Sequence, residues 1–98
     1  MKKNIQSIKK ILQEHKLNFS RKFKVKELSI FGSFVRGEQK RKNDIDILVE
    51  FSEPVSFFAF LDLEEYLSEL LGLKVDLVSK KALKPRIGKF ILQEMVTV

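Results

Sequence analysis

The chain has no cysteine. Disulfides, thiol nucleophiles and thiolate metal sites are therefore excluded, which is in keeping with a reducing cytosol, the expected location. Long apolar runs are also missing. None approaches the roughly 18 residues that a membrane-spanning helix requires. The start, "MKKNIQSIKK", is basic, but no continuous apolar segment follows it, so it does not read as a secretion signal. There are no internal repeats and no low-complexity linker. Histidine and tyrosine occur once each. His15 falls on the apolar side of a helical pattern and reads as a packing residue, not a base. Tyr66 reads as a residue at the edge of the core.

What is present fits one domain over 1–98. A chain of this size buries roughly two-thirds of its unfolded surface. An apolar fraction of 44% with nine phenylalanines argues for a globular fold over disorder. The net charge is +6. Much of the excess lies in Lys2, Lys3, Lys9, Lys10, Lys16, Arg21, Lys22, Lys24 and Lys26. Further basic groups follow at Lys40, Arg41 and Lys42 and between Lys80 and Lys89. A solvated surface explains such charge, and so does attraction for a nucleotide phosphate or RNA.

Ile5, Ile8 and Leu12 recur at helical spacing, which predicts a helix over roughly 3–18, ended by Asn18. Ser20 and Arg21 then read as loop, with Phe19 folding back onto the core. Strands are expected at 25–31 and 44–51. Between them, Ser33 to Arg36 reads as one helical turn closed by Gly37, followed by a polar loop over 38–43. The stripe Phe60, Leu63, Leu67, Leu70 predicts a helix over about 56–71, with Glu64, Glu65, Ser68 and Glu69 on its outer face. Gly72 is placed to cap it, and "KVDLV" forms a third strand. Pro85 suits the first turn of a last helix over roughly 85–93, and "MVTV" is prone to form an edge strand. Phe57, Phe58 and Phe60 read first as core and second as a partner-binding patch. The expected fold class is α+β (α/β), a small mixed sheet flanked by helices. The order is compatible with the second and third strands lying parallel or being separated by another strand.

Asp44 and Asp46 sit two residues apart on a strand whose other positions, Ile45, Ile47 and Val49, are apolar. Strand alternation points both carboxylates to one face, where they repel unless a cation or a proton intervenes. Mg²⁺, which takes hard oxygen ligands, is the obvious cation. Asp76 interrupts the third strand, where propensity disfavours aspartate. Three carboxylates on one sheet face can hold two metals about 3.5–4 Å apart, the arrangement used in phosphoryl transfer. Gly32 and Ser33 end the first strand with a turn that lets backbone N–H groups approach a phosphate, and Arg36 can neutralise charge there. Each piece alone also fits an ordinary loop or strand edge. Their order and spacing together are more specific.

The stretches "FGSFVRG", "NDIDILVEF" and "KVDLV" resemble the minimal nucleotidyltransferases (MNT) of the DNA polymerase beta superfamily. The resemblance covers Leu28 to Val78. One departure is Asn43, where the family usually has Ser or Thr. The resemblance implies the nucleotidyltransferase fold, ATP as substrate and Mg²⁺ as cofactor, with two ions. It implies that Gly32 and Ser33 hold phosphate, that Asp44 and Asp46 are the paired metal ligands, and that Asp76 is the third carboxylate, which helps activate the attacking group. Arg36 matches the motif arginine. It further implies an antitoxin that transfers AMP from ATP to a tyrosine of a partner HEPN ribonuclease toxin. Larger relatives carry added substrate domains, for which no room is expected here. Two other readings stand beside this one: a non-catalytic antitoxin that masks the toxin by binding, and an RNA-binding module using Phe23 and Phe34. Nucleic acid ranks last as the main substrate. The oligomeric state, including a homo-oligomer, is open.

Overall fold

The computed structural model describes residues 4–32, 44–82 and 95–98, with Asp44 as a backbone position. Helix α1 (Ile5–Glu14) starts at a reciprocal cap. Asn4 Oδ1 accepts from the Ser7 N–H at 2.9 Å, and Ser7 Oγ accepts from the Asn4 N–H at 3.2 Å. Ile8 and Leu12, four residues apart, are fully buried.

The expected single helix is broken at His15. Its backbone N–H turns to the Leu12 carbonyl, and its ring Nδ1 bonds the Ile11 carbonyl at 2.9 Å. The ring thus takes the acceptor that the His15 N–H itself would have used in a continuous α-helix. The chain restarts as α2 (Lys16–Phe23), so Ser20 and Arg21 are helical and not loop, as Asn18 also is. The reason lies at Phe19 and Phe23, one turn apart on one face. Both rings pack on Tyr66, with centroids at 5.8 and 5.5 Å. Phe19 is fully buried, as its expected return to the core requires. Lys24 ends α2 in the left-handed region at φ 59°.

Strands β1 (Val25–Phe31), β2 (Asp44–Phe51), β3 (Lys74–Ser79) and β4 (Val96–Thr97) form one sheet in the order β3-β2-β1-β4. β2 runs parallel to β3 and antiparallel to β1, and β4 is antiparallel to β1 at the edge. The parallel pair is joined through α3 (Phe57–Leu71), as a parallel connection demands. A register shift between Val25 and Glu27 turns Val25 onto the same face as Leu28 and Ile30. That face, with Ile45, Ile47, Val49, Val75 and Leu77, meets Ile8, Leu12, Phe19, Leu63, Leu67 and Leu71 in the main core.

α3 begins at Ser56, whose Oγ accepts from the Ala59 N–H, and ends at Gly72 with φ 65°, the left-handed cap expected there. Phe57 and Phe58 are 68% and 77% exposed, which overturns the first reading of them as core. They occupy the first turn, ahead of the buried Leu63-Leu67-Leu71 stripe, and only Phe60 turns inward, onto Phe51. Phe23, a candidate for base stacking, is committed to Tyr66. Phe34, the helical turn at 33–36, the 38–43 loop and the helix expected over 85–93 lie outside the described residues. Among the described residues no helix is long and apolar enough to cross a membrane.

Candidate active site

Among the described residues, the second face of the sheet carries the smaller apolar cluster. Phe31 and Leu48 are buried there, with Val78 and Met95 packed against them. Toward the start of β2 the same face turns polar. Asp46 is the register partner of Phe31 on one side and of Asp76 on the other. Partners in a parallel pair share a face, and adjacent strands lie about 4.8 Å apart. The two strand aspartates that sequence reasoning singled out are therefore neighbours. Asp46 is half-buried and Asp76 exposed.

Gly32 directly follows Phe31 and adopts φ 81°, a conformation that favours glycine. A Cβ on it would run into the Asp46 carboxylate, lying 3.2 Å from its carboxyl carbon. The glycine is thus needed twice, for its backbone and for its missing side chain. The three positions Gly32, Asp46 and Asp76 meet where β1 ends. Asp44 pairs with Lys74, two positions toward the strand start. Ser33 and Arg36 lie outside the described residues.

The donor chemistry at Asp46 and Asp76 is hard carboxylate oxygen, which suits Mg²⁺. Among the described residues no three histidine, aspartate or glutamate side chains come together as a metal-holding group. Asp46 and Asp76 are register partners on adjacent strands, and the side chain of Asp44 is not among those described. A cavity of about 630 Å³ opens at the other end of the parallel strands, lined by Phe51, Pro54, Phe57, Phe60 and Lys80 among others. Phe51 lies five residues beyond Asp46, or about 16 Å along the strand. That cavity therefore does not coincide with the two strand carboxylates.

Sequence reasoning missed two residues that bear on this site. Glu64 and Ser68 were expected on the outer face of α3. They are half-buried and turned to β3, where Glu64 Oε2 accepts from the Leu77 N–H at 2.9 Å and Ser68 Oγ from the Val75 N–H at 3.1 Å. No local signal marked them, because both residue types are ordinary on an exposed helix face.

The family model described as "Nucleotidyltransferase domain" matches residues 8–98. The chain belongs to the nucleotidyltransferase domain family. A protein of Methanocaldococcus jannaschii, named as a candidate protein adenylyltransferase, is 53% identical over 97 residues, covering 98% of this chain and 99% of its own. The protein adenylyltransferase MntA of Thermococcus cleftensis is 50% identical over 94 residues, covering 96% and 95%. A solved structure described as a candidate minimal nucleotidyltransferase superposes with a TM-score of 0.79 at 29% identity, covering 98% of this chain and 97% of that one. A Shewanella oneidensis complex of a tri-AMPylated HEPN toxin with an MNT antitoxin matches with a TM-score of 0.64 at 20% identity, covering 90% and 69%. At that identity the likeness is one of fold. The nucleotidyltransferase fold and the MNT resemblance drawn from the motifs are both borne out.

Proposed function

We propose that this nucleotidyltransferase transfers AMP from ATP to a tyrosine hydroxyl of a HEPN-type toxin and acts as its antitoxin. The observation that carries the reading is the Gly32–Asp46–Asp76 junction. Two strand carboxylates share one sheet face beside a glycine whose lack of a side chain clears the Asp46 carboxylate. Support for the acceptor class comes from relatives of matching length named protein adenylyltransferase, and from a complex of like fold in which a HEPN toxin carries AMP.

Asp44, Asp46 and Asp76 would hold two Mg²⁺ ions, which when bound neutralise the triphosphate and polarise the α-phosphorus. The chain's own contribution is placement. Gly32 and Ser33 are assigned to the phosphate, with the Ser33 hydroxyl and the Arg36 guanidinium as its donors. Asp76 takes the proton of the acceptor hydroxyl as that oxygen attacks the α-phosphorus. The new O–P bond forms while the bond to the bridging oxygen breaks, and pyrophosphate leaves with its electron pair. The paired strands β2 and β3 would hold Asp46 and Asp76 in place, so that little reorganisation is needed at the moment of reaction.

The experiment combines labelled ATP, Mg²⁺ and a HEPN-type toxin. Label appears on a partner tyrosine with the wild type and disappears with Asp44→Ala/Asp46→Ala. Equal labelling by the double variant sinks the site assignment. The exposed Phe57 and Phe58 favour a second reading, a masking antitoxin that works by contact alone. That reading requires the double variant to neutralise the toxin at equal dose. A variant that still forms the complex but no longer neutralises rules it out.

A further inference from the structure

β3 is an edge strand, so alternate peptide N–H groups face away from β2. Helix α3 occupies two of them. The Leu77 N–H donates to Glu64 Oε2, and the Val75 N–H donates to Ser68 Oγ. The Ser68 hydroxyl in turn donates to the Glu64 carbonyl at 2.9 Å, which fixes its rotor and turns its oxygen toward the strand. The spacings match. Four residues of helix rise about 6 Å, and two residues of strand advance about 6.6 Å. One residue lies between the two held positions, and it is Asp76. The Leu77 N–H belongs to the same peptide group as the Asp76 carbonyl, so Glu64 grips the backbone of Asp76 itself.

The segment is thus fixed from two directions. β2 holds it through the ladder that aligns Asp46 with Asp76, and α3 holds it through two side chains. Val75 and Leu77 are buried on the core side, which sends the Asp76 side chain to the opposite face. We infer that Glu64 and Ser68 are positioning residues that keep the Asp76 carboxylate beside Asp46. The inference rests on the proposed role of Asp76 in the transfer. Neither residue reaches the reacting atoms; both act through the strand.

Two readouts test it in the full chain: amide hydrogen exchange by NMR, and the kcat and KM for ATP of AMP transfer to the HEPN partner. In Glu64→Ala the Leu77 amide exchanges about tenfold faster or more, as loss of a hydrogen bond to a carboxyl acceptor predicts. In the same variant kcat falls by about tenfold, while KM for ATP stays within about twofold because the phosphate contacts remain. Glu64→Gln keeps an acceptor oxygen and restores both. Ser68→Ala speeds exchange at Val75 and lowers kcat in the same direction, and it decides the matter if Glu64→Ala does not fold. Unaltered exchange at Leu77 in Glu64→Ala overturns the inference. So does faster exchange with unchanged kcat, or failure of Glu64→Gln to rescue. If the wild type transfers no AMP, the proposed function fails, and the exchange rates alone decide whether the clamp holds Asp76.

Discussion

Gly32 concentrates the demands of the site in one residue. Its φ of 81° disfavours any side chain, and a Cβ would contact the Asp46 carboxylate. Gly32→Ala should destabilise the fold by about 1–2 kcal/mol from backbone strain alone, read by urea unfolding. Its effect on AMP transfer should be larger than that cost implies, because the methyl displaces Asp46 directly. Retained stability and full transfer would show that the junction tolerates a side chain. At this scale the sequence was informative where residues broke local rules. Asp44, Asp46 and Asp76 stood out because aspartate is disfavoured within apolar strands. Glu64 and Ser68 broke no rule. Glutamate and serine on a helix read as solvent-facing, and only the edge position of β3 gives them a partner.

Elements follow from periodicity until a side chain competes with the backbone. The strands at 25–31 and 44–51 and the helix ending before Gly72 were legible, because alternation and the capping glycine are local signals. The break at His15 was not, because the apolar period runs on through it while the imidazole takes the Ile11 carbonyl. The extension of α2 to Phe23 was hidden for a related reason. Its polar residues suggested loop, and the aromatic contacts that hold it come from α3, more than forty residues later. Lys24, at φ 59°, ends that helix without glycine's freedom. Lys24→Gly should therefore stabilise the protein by about 0.5–1 kcal/mol, the left-handed penalty less the entropy of glycine when unfolded. A lower midpoint of thermal unfolding for this variant would contradict that account of the cap.

Among the described residues, the two faces of the sheet differ in character. Helices cover the face of Ile30, Ile47 and Val49, and the carboxylates occupy the other. Phe19 locks the helical layer together, being fully buried and set edge-on to Tyr66. Phe19→Ala should cost about 3–5 kcal/mol, enough to unfold a marginally stable domain, and calorimetry measures it. The parallel pairing of β2 and β3, which the element order left open, is what makes Asp46 and Asp76 neighbours. The central claim is that these two carboxylates serve one transfer site. Intact-mass analysis of the HEPN partner, co-expressed with wild type, with Asp46→Asn or with Asp76→Asn, tests it most directly. The account predicts AMP additions on the partner with the wild type and none with either variant. AMP added at wild-type stoichiometry by both variants would contradict it.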